Sequence, residues 1–442
     1  MKNESKNEFS LVHPNAAGID IASGIHYVSV PSDRDSNPVR KFESFTENLH
    51  EMANWLKKCK IETVAMESTG IYWVQPYLIL EDYEFDVYLV NARHIKNVTG
   101  RKSDVLDCQW IQQLHSFGLL NKSFQPENKI RELRTYIRHR KSLTQSYATQ
   151  VNLIHKAFEQ MNIKLNMVLS DICGKSGQLI IKAILTGERN SEVLAELADK
   201  QVKATKEEII KALTGNWRGE HLFELKQAYE TYLFIKDKIS ECDVQIEKVL
   251  SNLKPEDSDE LEDGKANRGV YSKNRLNFNG TIYLRSVIGT DVTKIFGISE
   301  LLALEIISET GTDMTKWPTK KHFASWLNLA PNNRISGGKL LKPKRVKKKN
   351  KAGQAFLLAA YALQRSNHWL GSFFRRIKSK HGPAIATKAT ARKLALIFYE
   401  MVKYHKDFVP INNEEYNSAY TQYRIKLLKN QASKLGLVFS EV

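Results

Sequence analysis

Four acidic residues near the start of the chain constrain its fold more than any other feature. Each is placed where a strand or helix pattern brings it to the same edge of a sheet, and the four are Asp20, Glu67, Asp104 and Asp107. Carboxylates held close together repel one another and raise each other's pKa. A divalent cation relieves that repulsion, and Mg²⁺ prefers carboxylate oxygens. The pattern therefore predicts an acidic, metal-binding edge on a sheet.

The segments around these acids alternate between strand and helix patterns. Three strands precede the first predicted helix, and helix and strand then alternate, which favours an RNase H-like sheet. No GxGxxG motif is present, which argues against a dinucleotide-binding fold. The predicted strands cover residues 17–21, 26–30, 39–45, 63–66 and 87–90, and the predicted helices cover residues 47–60, 72–80 and 103–115.

The acids Asp104 and Asp107 are three residues apart, so on a helix they share one face. There they can reach the ends of the strands that carry Asp20 and Glu67. A D-x-x-D pair alone is weak evidence, because many surface helices carry one, and a solvated acidic surface stays open as an alternative. At a metal site of this kind, two ions about 4 Å apart activate a nucleophile and stabilise the leaving oxygen of a phosphodiester.

The chain as a whole is strongly basic, with 442 residues and a formal net charge of +17 at pH 7. This excess favours a polyanionic partner, nucleic acid ahead of a membrane. Lys96, Arg101 and Lys102 precede the acid pair and are candidates to hold phosphate, with solvated loop charges as the equal alternative. A later basic run suits contact with a nucleic-acid backbone, with an exposed loop as the alternative. The run comprises Lys339, Lys342, Lys344, Arg345, Lys347, Lys348, Lys349 and Lys351.

A short motif in the last third of the chain offers a second candidate for chemistry. Ser336 precedes Gly337 and Gly338, so we expect it in tight and accessible backbone. Its hydroxyl could attack phosphorus if a base or a metal withdrew the proton. Arg334 and Lys339 flank it and could bind the charged phosphate. On composition alone, a plain turn is the more common meaning of such a sequence.

The pattern along the chain predicts five segments. Long amphipathic helices over residues 130–161 and 226–253 favour a coiled-coil spacer, and leave an ordinary helical subdomain open. A polar, acidic stretch follows, which is typical of a linker. The segments are an α/β domain over residues 1–125, the helical spacer over 126–254, the linker over 255–280, a mainly helical domain over 281–410, and a helix with a loose end over 411–442.

The cysteines and the apolar segments bear on metal type and location. The four cysteines form no CxxC pair and no histidine pair with zinc-ligand spacing accompanies them, so zinc is not expected. Isolated cysteines fit a reducing cytoplasm. The N-terminus lacks the apolar run of a signal peptide, and no apolar stretch approaches the ~18 residues of a membrane span. These features predict a cytoplasmic protein with no membrane partner.

Longer motifs connect these features. GIDIASGIHYVSV, VAMESTGIYW and VNARHIKNVTGRKSDVLDCQWI lie near the N-terminus, and FASWLNLAPNNRISGGK and ATARKLALIFYEM lie towards the C-terminus. In this order they resemble the DEDD-type insertion-sequence transposases of the "IS one-ten" family, which are now described as bridge-RNA-guided recombinases. The resemblance covers most of the first predicted domain and most of residues 281–410.

The resemblance implies a RuvC-like RNase H fold for the first domain, a helical or coiled-coil middle region and a mainly α transposase domain. It implies that Asp20, Glu67, Asp104 and Asp107 are a DEDD tetrad that binds one or two Mg²⁺ ions, and that Ser336 is the nucleophile. The expected reaction cleaves and rejoins donor and target DNA through a covalent serine–DNA linkage. A structured guide RNA from the element would pair with both DNAs and supply the specificity.

Two features depart from the family pattern. Many relatives carry a lysine shortly after the first Asp, where this chain has Ile21-Ala22-Ser23-Gly24, and the acidic linker matches no motif. Because the long helical region separates the tetrad from Ser336, we expect a composite site assembled between subunits of a homodimer or larger homo-oligomer. Two other functions stay open: a RuvC-like nuclease or junction resolvase that uses water, and a non-catalytic nucleic-acid-binding protein on the same scaffold.

Overall fold

The computed structural model describes residues 10–68, 70–91, 104–254, 274–331, 334–341 and 350–436. The chain divides into two compact units, Met1–Gln125 and Pro126–Val442. In the described residues, no helix is both long enough and apolar enough to cross a membrane. The finer division of the chain into five segments stays a prediction.

The first unit is built on a five-stranded mixed sheet with the order β3-β2-β1-β4-β5. The second strand is antiparallel to the first and the third, whereas the first, fourth and fifth are parallel. The three early strands predicted from the sequence are present, and they form the antiparallel part of the sheet. The strands are β1 Ala16–Asp20, β2 Ile25–Ser29, β3 Val39–Glu43, β4 Thr63–Glu67 and β5 Asp86–Val90.

Helices cover both faces of this sheet, and they are α1 Thr46–Lys58, α2 Val74–Asp82 and α3 Asp104–Ser116. The first two pack on one face, where Ile19 and Met66 are fully buried. The third covers the other face and packs against Ala65 and Val90. Because side chains alternate along a strand, each of these strands gives one face to each layer of helices.

Two long helices dominate the start of the second unit, α4 Asn128–Gln160 and α9 Gly219–Asn252. They run antiparallel, since the side chain of Lys129 bonds the carbonyl of Asn252 at one end and Lys156 pairs with Glu224 at the other. The structure confirms both long helices that the sequence predicts, although the second begins at Gly219, earlier than its apolar pattern indicates. Four short helices close a core at one end of the pair: α5 Leu165–Val168, α6 Lys175–Leu185, α7 Ser191–Glu196 and α8 Lys206–Leu213.

One buried ion pair joins the two long helices. Arg140 of α4 is 2% exposed and Asp243 of α9 is 1% exposed, and their two hydrogen bonds measure 2.5 and 3.2 Å. The guanidinium also donates to the carbonyls of Asn274 and Arg275, at 3.3 and 3.1 Å. The carboxylate accepts from the backbone N–H of Asn277 at 3.2 Å. The pair therefore fixes the register of the two helices and anchors the segment that follows them.

The remainder of the second unit is mainly helical, as predicted, around a core in which Phe323, Phe356 and Phe398 pack with ring centroids 5.5 to 6.5 Å apart. A two-stranded hairpin, β6 Arg334–Ser336 and β7 Lys339–Leu341, is the exception. The helices are α10 Gly280–Ile288, α11 Glu300–Thr310, α12 Lys320–Trp326, α13 Lys351–Ala362, α14 Trp369–His381, α15 Pro383–Tyr404 and α16 Asn413–Lys434.

Asp243→Asn is expected to destabilise the pairing of α4 and α9, because it leaves the Arg140 charge buried without its counter-charge. Removing one partner of a buried ion pair costs about 3–5 kcal/mol. Native-state hydrogen exchange of the α4 and α9 amides should report a loss of local unfolding free energy of that order.

A matched control lies two residues away on the exposed side of the same helix. Glu241 pairs with Lys238 at 2.7 Å, but its side chain is 63% exposed. Because exposed pairs contribute less than about 1 kcal/mol, Glu241→Gln should change exchange only slightly. Equal effects of the two substitutions would contradict the role assigned to the buried pair.

Candidate functional site

The ends of two neighbouring strands bring the first two acids together. Ile19 of β1 pairs with Met66 of β4 in a parallel ladder. The next residues, Asp20 and Glu67, therefore end their strands side by side at the same edge of the sheet. Both also lie on the face of the sheet that α3 covers. Side chains alternate between the two faces along a strand, so Glu67 shares the face of Ala65, two residues earlier, and Asp20 is the neighbour of Glu67 on β1.

Contacts along α3 fix its direction across the sheet. Near the end of the helix, Nε2 of His115 lies 2.8 Å from the hydroxyl of Thr63, at the start of β4. In its middle, the α3 backbone lies directly against Gly18 of β1. The first turn of α3, which carries the acid pair Asp104 and Asp107, therefore lies at the edge where β1 and β4 end.

Gly18 allows α3 to approach β1 this closely. A Cβ atom at this position would lie 2.2 Å from the backbone nitrogen of Gln112 and 2.4 Å from the carbonyl oxygen of Cys108. The glycine therefore sets the distance between Asp20, two residues along the same face, and the acids of α3. Gly18 is not among the site residues predicted from the sequence. Its signal is a glycine within a buried strand, which often marks a close approach of another backbone.

The charges of the four acids act on one another, and the effect is clear at Asp20. Its pKa is raised from the ordinary value of 3.8 to about 6, first by burial and then by the charges of Asp104, Asp107 and Glu67. A hydrogen bond with the backbone of Ile21 opposes the shift. The start of α3 favours negative charge in its first turn, which helps to hold two of the acids in this position.

The donor set fits a hard divalent cation. All four side chains offer oxygen atoms, which Mg²⁺ and Mn²⁺ prefer, and the part of the raised pKa of Asp20 that comes from the other three acids is consistent with a negative field at this edge. In the described residues, no three His, Cys, Asp or Glu side chains are arranged to hold a metal ion as they stand. The two findings agree, because charges interact over distances well beyond a metal–oxygen bond. The four acids lie at one edge of the sheet and interact electrostatically, but no three of them hold their oxygen atoms as close together as the ligands of a single bound ion.

Cys108 lies on α3 beside these acids but is not suited to their chemistry. Burial, followed by the charge of Asp20, raises the pKa of its thiol to about 12. Its Sγ donates to the carbonyl of Val105 at 3.1 Å. Because the thiolate is the form that binds metals and attacks electrophiles, this cysteine is a packing residue.

Ser336 ends the first strand of the hairpin in the second unit and pairs with Lys339. Gly337 and Gly338 form the turn with φ angles of +55° and +73°. Positive φ at both central residues is typical of a type I′ turn, which glycine adopts without strain. Both Ser336 and Lys339 are exposed. The prediction of tight and accessible backbone at this serine is confirmed.

The predicted basic contacts are only partly described. The structure brings Arg334, Ser336 and Lys339 onto one hairpin, and Lys351 begins α13. The predicted linker is described only from residue 274 onwards. The predicted phosphate contacts that lie outside the described residues are Lys96, Arg101, Lys102, Lys342, Lys344, Arg345, Lys347, Lys348 and Lys349.

Two family models match the sequence. A transposase model of the DEDD type matches residues 17–163, which contain all four acids. A second model, described as a transposase of the IS116/IS110/IS902 family, matches residues 289–375, which contain Ser336. Together the matches cover about half of the chain. A search of curated proteins finds no match.

Gly18→Ala is expected to push α3 away from β1, because the new Cβ would meet helix backbone and not the flexible end of a side chain. Overpacking of this kind costs about 1–3 kcal/mol. The variant should unfold at a lower temperature by circular dichroism. It should also bind Mn²⁺ more weakly, as measured by electron paramagnetic resonance, because the acids of α3 move with the helix.

Gly24→Ala is the matched control, since a Cβ at Gly24 would meet no atom within 4 Å. We expect unchanged stability and unchanged Mn²⁺ binding. If Gly18→Ala behaved like this control, the backbone contact would not position the acids.

Asp20→Asn is expected to stabilise the first unit at neutral pH. Because the folded-state pKa of about 6 lies above the ordinary value of 3.8, the folded state holds this proton more tightly than the unfolded state does. Asp20 therefore favours folding most at low pH, and this contribution is lost as the pH rises from about 4 through about 6. The variant should flatten that fall in the thermal midpoint and raise the midpoint at neutral pH.

Asp35→Asn is a control that should change the stability in the opposite direction, because the pKa of Asp35 is lowered and not raised. A hydrogen bond from Trp55, together with bonds from Asn37 and Arg40, lowers the pKa of Asp35. Its loss should therefore destabilise the protein at neutral pH. Added Mn²⁺ should raise the midpoint of the native protein and of Asp35→Asn, and should have little effect on Asp20→Asn. A midpoint that does not respond to Asp20→Asn at any pH would contradict the repulsion between the acids.

Proposed function

The chain belongs to the IS110-type family of DEDD transposases, and from this membership we propose that it cuts and rejoins DNA through a covalent bond between Ser336 and the strand. It is a DNA transposase whose N-terminal domain has the RNase H-like fold, and DNA is its substrate. The observation that carries the proposal is the pairing of two features in one chain. The first matched region has a carboxylate edge, and the second has an exposed serine at a tight hairpin.

The four acids are the residues that would hold a divalent cation, and Mg²⁺ is the ion we propose. When bound, one or two such ions supply positive charge that polarises a phosphate and favours loss of a hydroxyl proton. The chain's own part is to keep Asp20 and Glu67 at the end of adjacent strands and to bring α3 against them at Gly18. One of the carboxylates is proposed to accept the proton of the attacking hydroxyl.

Ser336 is proposed to make the first bond change. Its Oγ attacks the scissile phosphorus and gives its proton to a carboxylate, while the bond from phosphorus to the deoxyribose oxygen breaks and the departing oxygen takes up that proton. A hydroxyl at another strand end then attacks the serine phosphodiester, and its proton passes by the same route to Oγ of Ser336 as the serine is released. The number of phosphodiester bonds is conserved, so no external energy source is needed. Lys339 is exposed and pairs with Ser336, and we propose that it stabilises the negative charge that develops on the phosphate.

Assembly and guidance are further parts of this proposal. We propose a homodimer or larger homo-oligomer joined through the long helices, and α9 exposes Phe223, Phe234 and Val244 that suit such a contact. We also propose a structured RNA that pairs with donor and target DNA, so that base pairing selects the sequence. The net charge of +17 supports a protein that grips nucleic-acid backbones.

Ser336→Ala tests the serine route directly. We expect loss of the covalent protein–DNA adduct and of strand rejoining by about a thousandfold or more, because the attacking oxygen is removed. The adduct is measured by denaturing electrophoresis of protein incubated with labelled element DNA, the element's RNA and Mg²⁺. Ser325→Ala is the control, since Ser325 is an exposed serine within the same matched region.

Three other outcomes would overturn this route. Strand cleavage that survives Ser336→Ala without an adduct would indicate a nuclease or resolvase that uses water. Normal adduct formation by Glu67→Gln would show that the carboxylate edge takes no part in the reaction. Complete absence of cleavage by the native protein, with its DNA, RNA and Mg²⁺ present, would favour a non-catalytic binding protein.

A further inference from the structure

Aromatic and cationic side chains alternate across three helices near the C-terminal end of the second unit. They come from α14, α15 and α16, and we call the set the aromatic–cation ladder. None of them belongs to the carboxylate edge or to the serine hairpin. The members are Phe373, Arg376, Lys393, Tyr416, Tyr420 and Tyr423.

Arg376 forms the centre of the ladder. Its guanidinium carbon lies 3.8 Å from the ring centroid of Tyr420 and 4.8 Å from that of Tyr416, and the same side chain donates to the Tyr416 hydroxyl. The rings of Tyr420 and Tyr423 follow with centroids 6.4 Å apart. The three tyrosines are spaced four and three residues apart, so they share one face of α16.

Lys393 forms the inner end of the ladder. Its Nζ lies 5.0 Å from the ring of Trp369 and 5.0 Å from the ring of Phe373. Trp369 is only 3% exposed and packs against Tyr416 with centroids 5.4 Å apart. This end of the ladder is therefore anchored in the protein interior.

The outer end of the ladder is open to solvent. Tyr423 is 57% exposed, and no residue of α16 is buried. The ring of Tyr423 is tilted by 33° from that of Tyr420, and its exposed part has an apolar body with a polar tip, which suits contact with a partner. The contacts of Tyr416 and Tyr420 thus hold α16 in place, whereas the ring of Tyr423 is open to solvent.

The surroundings of the outer rungs are positively charged. A hydrogen bond from Arg424, with the charges of Lys380 and Arg376, lowers the pKa of Tyr420. The α14 segment WLGSFFRRIKSKH carries four Arg or Lys residues and no acid. After Glu415, α16 likewise carries four and no acid. In the described part of the chain, Lys380 and Arg424 form no ion pair with an acidic side chain.

We propose that the outer end of the ladder is a stacking platform for unpaired bases of a single-stranded nucleic acid. A base would stack on Tyr423, and Lys380 and Arg424 would hold the neighbouring phosphates. Every base has a π face, so aromatic rings beside a basic groove bind single strands with little sequence preference. The proposal rests on the proposed function only in taking nucleic acid as the partner, and it does not depend on the Ser336 chemistry.

Charge selects this occupant over a second copy of the chain. Leu427 and Leu428 are 40% and 41% exposed on α16, and an apolar contact between copies would use them. Self-association through this part of the helix would, however, bring Arg424 and Lys426 of both copies together, and the acids of α16, Glu414 and Glu415, lie nine or more residues away in its first turn. A polyanionic strand neutralises the same charges and covers the aromatic ring.

Photocross-linking of the full chain tests the platform. Single-stranded RNA with 4-thiouridine and single-stranded DNA with 4-thiothymidine are cross-linked, and the modified peptides are mapped by mass spectrometry. We expect cross-links within α16 that fall about fivefold or more in Tyr423→Ala and persist in Tyr423→Trp. Tyr361→Ala is the matched control, because Tyr361 is an exposed tyrosine (66%) on α13, outside the ladder. The stronger of the two probes identifies RNA or DNA as the preferred strand.

Salt dependence separates the two modes of binding. Substituting Lys380→Gln and Arg424→Gln should reduce the slope of log affinity against log salt by about 0.7 for each phosphate that is no longer neutralised. Tyr423→Ala should weaken binding and leave that slope unchanged. All of these measurements should give the same result in a Ser336→Ala background, so a failure of the serine mechanism would not be mistaken for a failure of the platform.

Two results would overturn the platform. One is the absence of cross-links in α16 while cross-links form elsewhere in the chain. The other is a change in sedimentation for Tyr423→Ala with cross-linking unchanged, which would make this face a contact between copies of the protein.

Discussion

Direct backbone contact between α3 and β1 at Gly18 is the constraint on which the acidic edge depends. A sheet strand and a helix normally stand apart by the thickness of their side chains, and here one side chain is missing. The helix therefore lies low over the strand, and its first turn reaches the level at which Asp20 and Glu67 end their strands. The raised pKa of Asp20 is the electrostatic result of that approach and of burial.

The second unit is organised by a different kind of constraint. Burying Arg140 and Asp243 is expensive, and the charges are tolerated because each is satisfied by the other and by backbone groups of the following segment. An apolar pair would stabilise the helices in several registers, whereas this pair is satisfied in one. Close backbone packing at Gly18 thus sets the position of α3 in the first unit, and paired polar groups set the register of the long helices in the second.

The sequence predicts much of this architecture because hydrophobic periodicity is local. The five strands, α3 and the two long helices follow from alternation or helical spacing, and the turn at Ser336 follows from its two glycines. Gly18 in a buried strand signals a close approach of some backbone, but the partner could not be predicted, because it is a helix some ninety residues away. Arg140 lies in a run of basic residues, and although helical spacing puts it on the buried face after Leu133 and Ile137, its partner Asp243 is more than one hundred residues away. The catalytic roles of the acids and of Ser336 stay proposals.

The absence of buried side chains in α16 has a consequence for how that helix behaves. An isolated helix of its length is only marginally stable in water, so most of its order must come from what it touches. Within the protein, that support is concentrated at Tyr416 and Tyr420, in its first half. The second half of α16 has no buried side chain, so a partner that covers it would stabilise the helix as well as bind to it. Part of the binding free energy would then go into that ordering, which favours a reversible association.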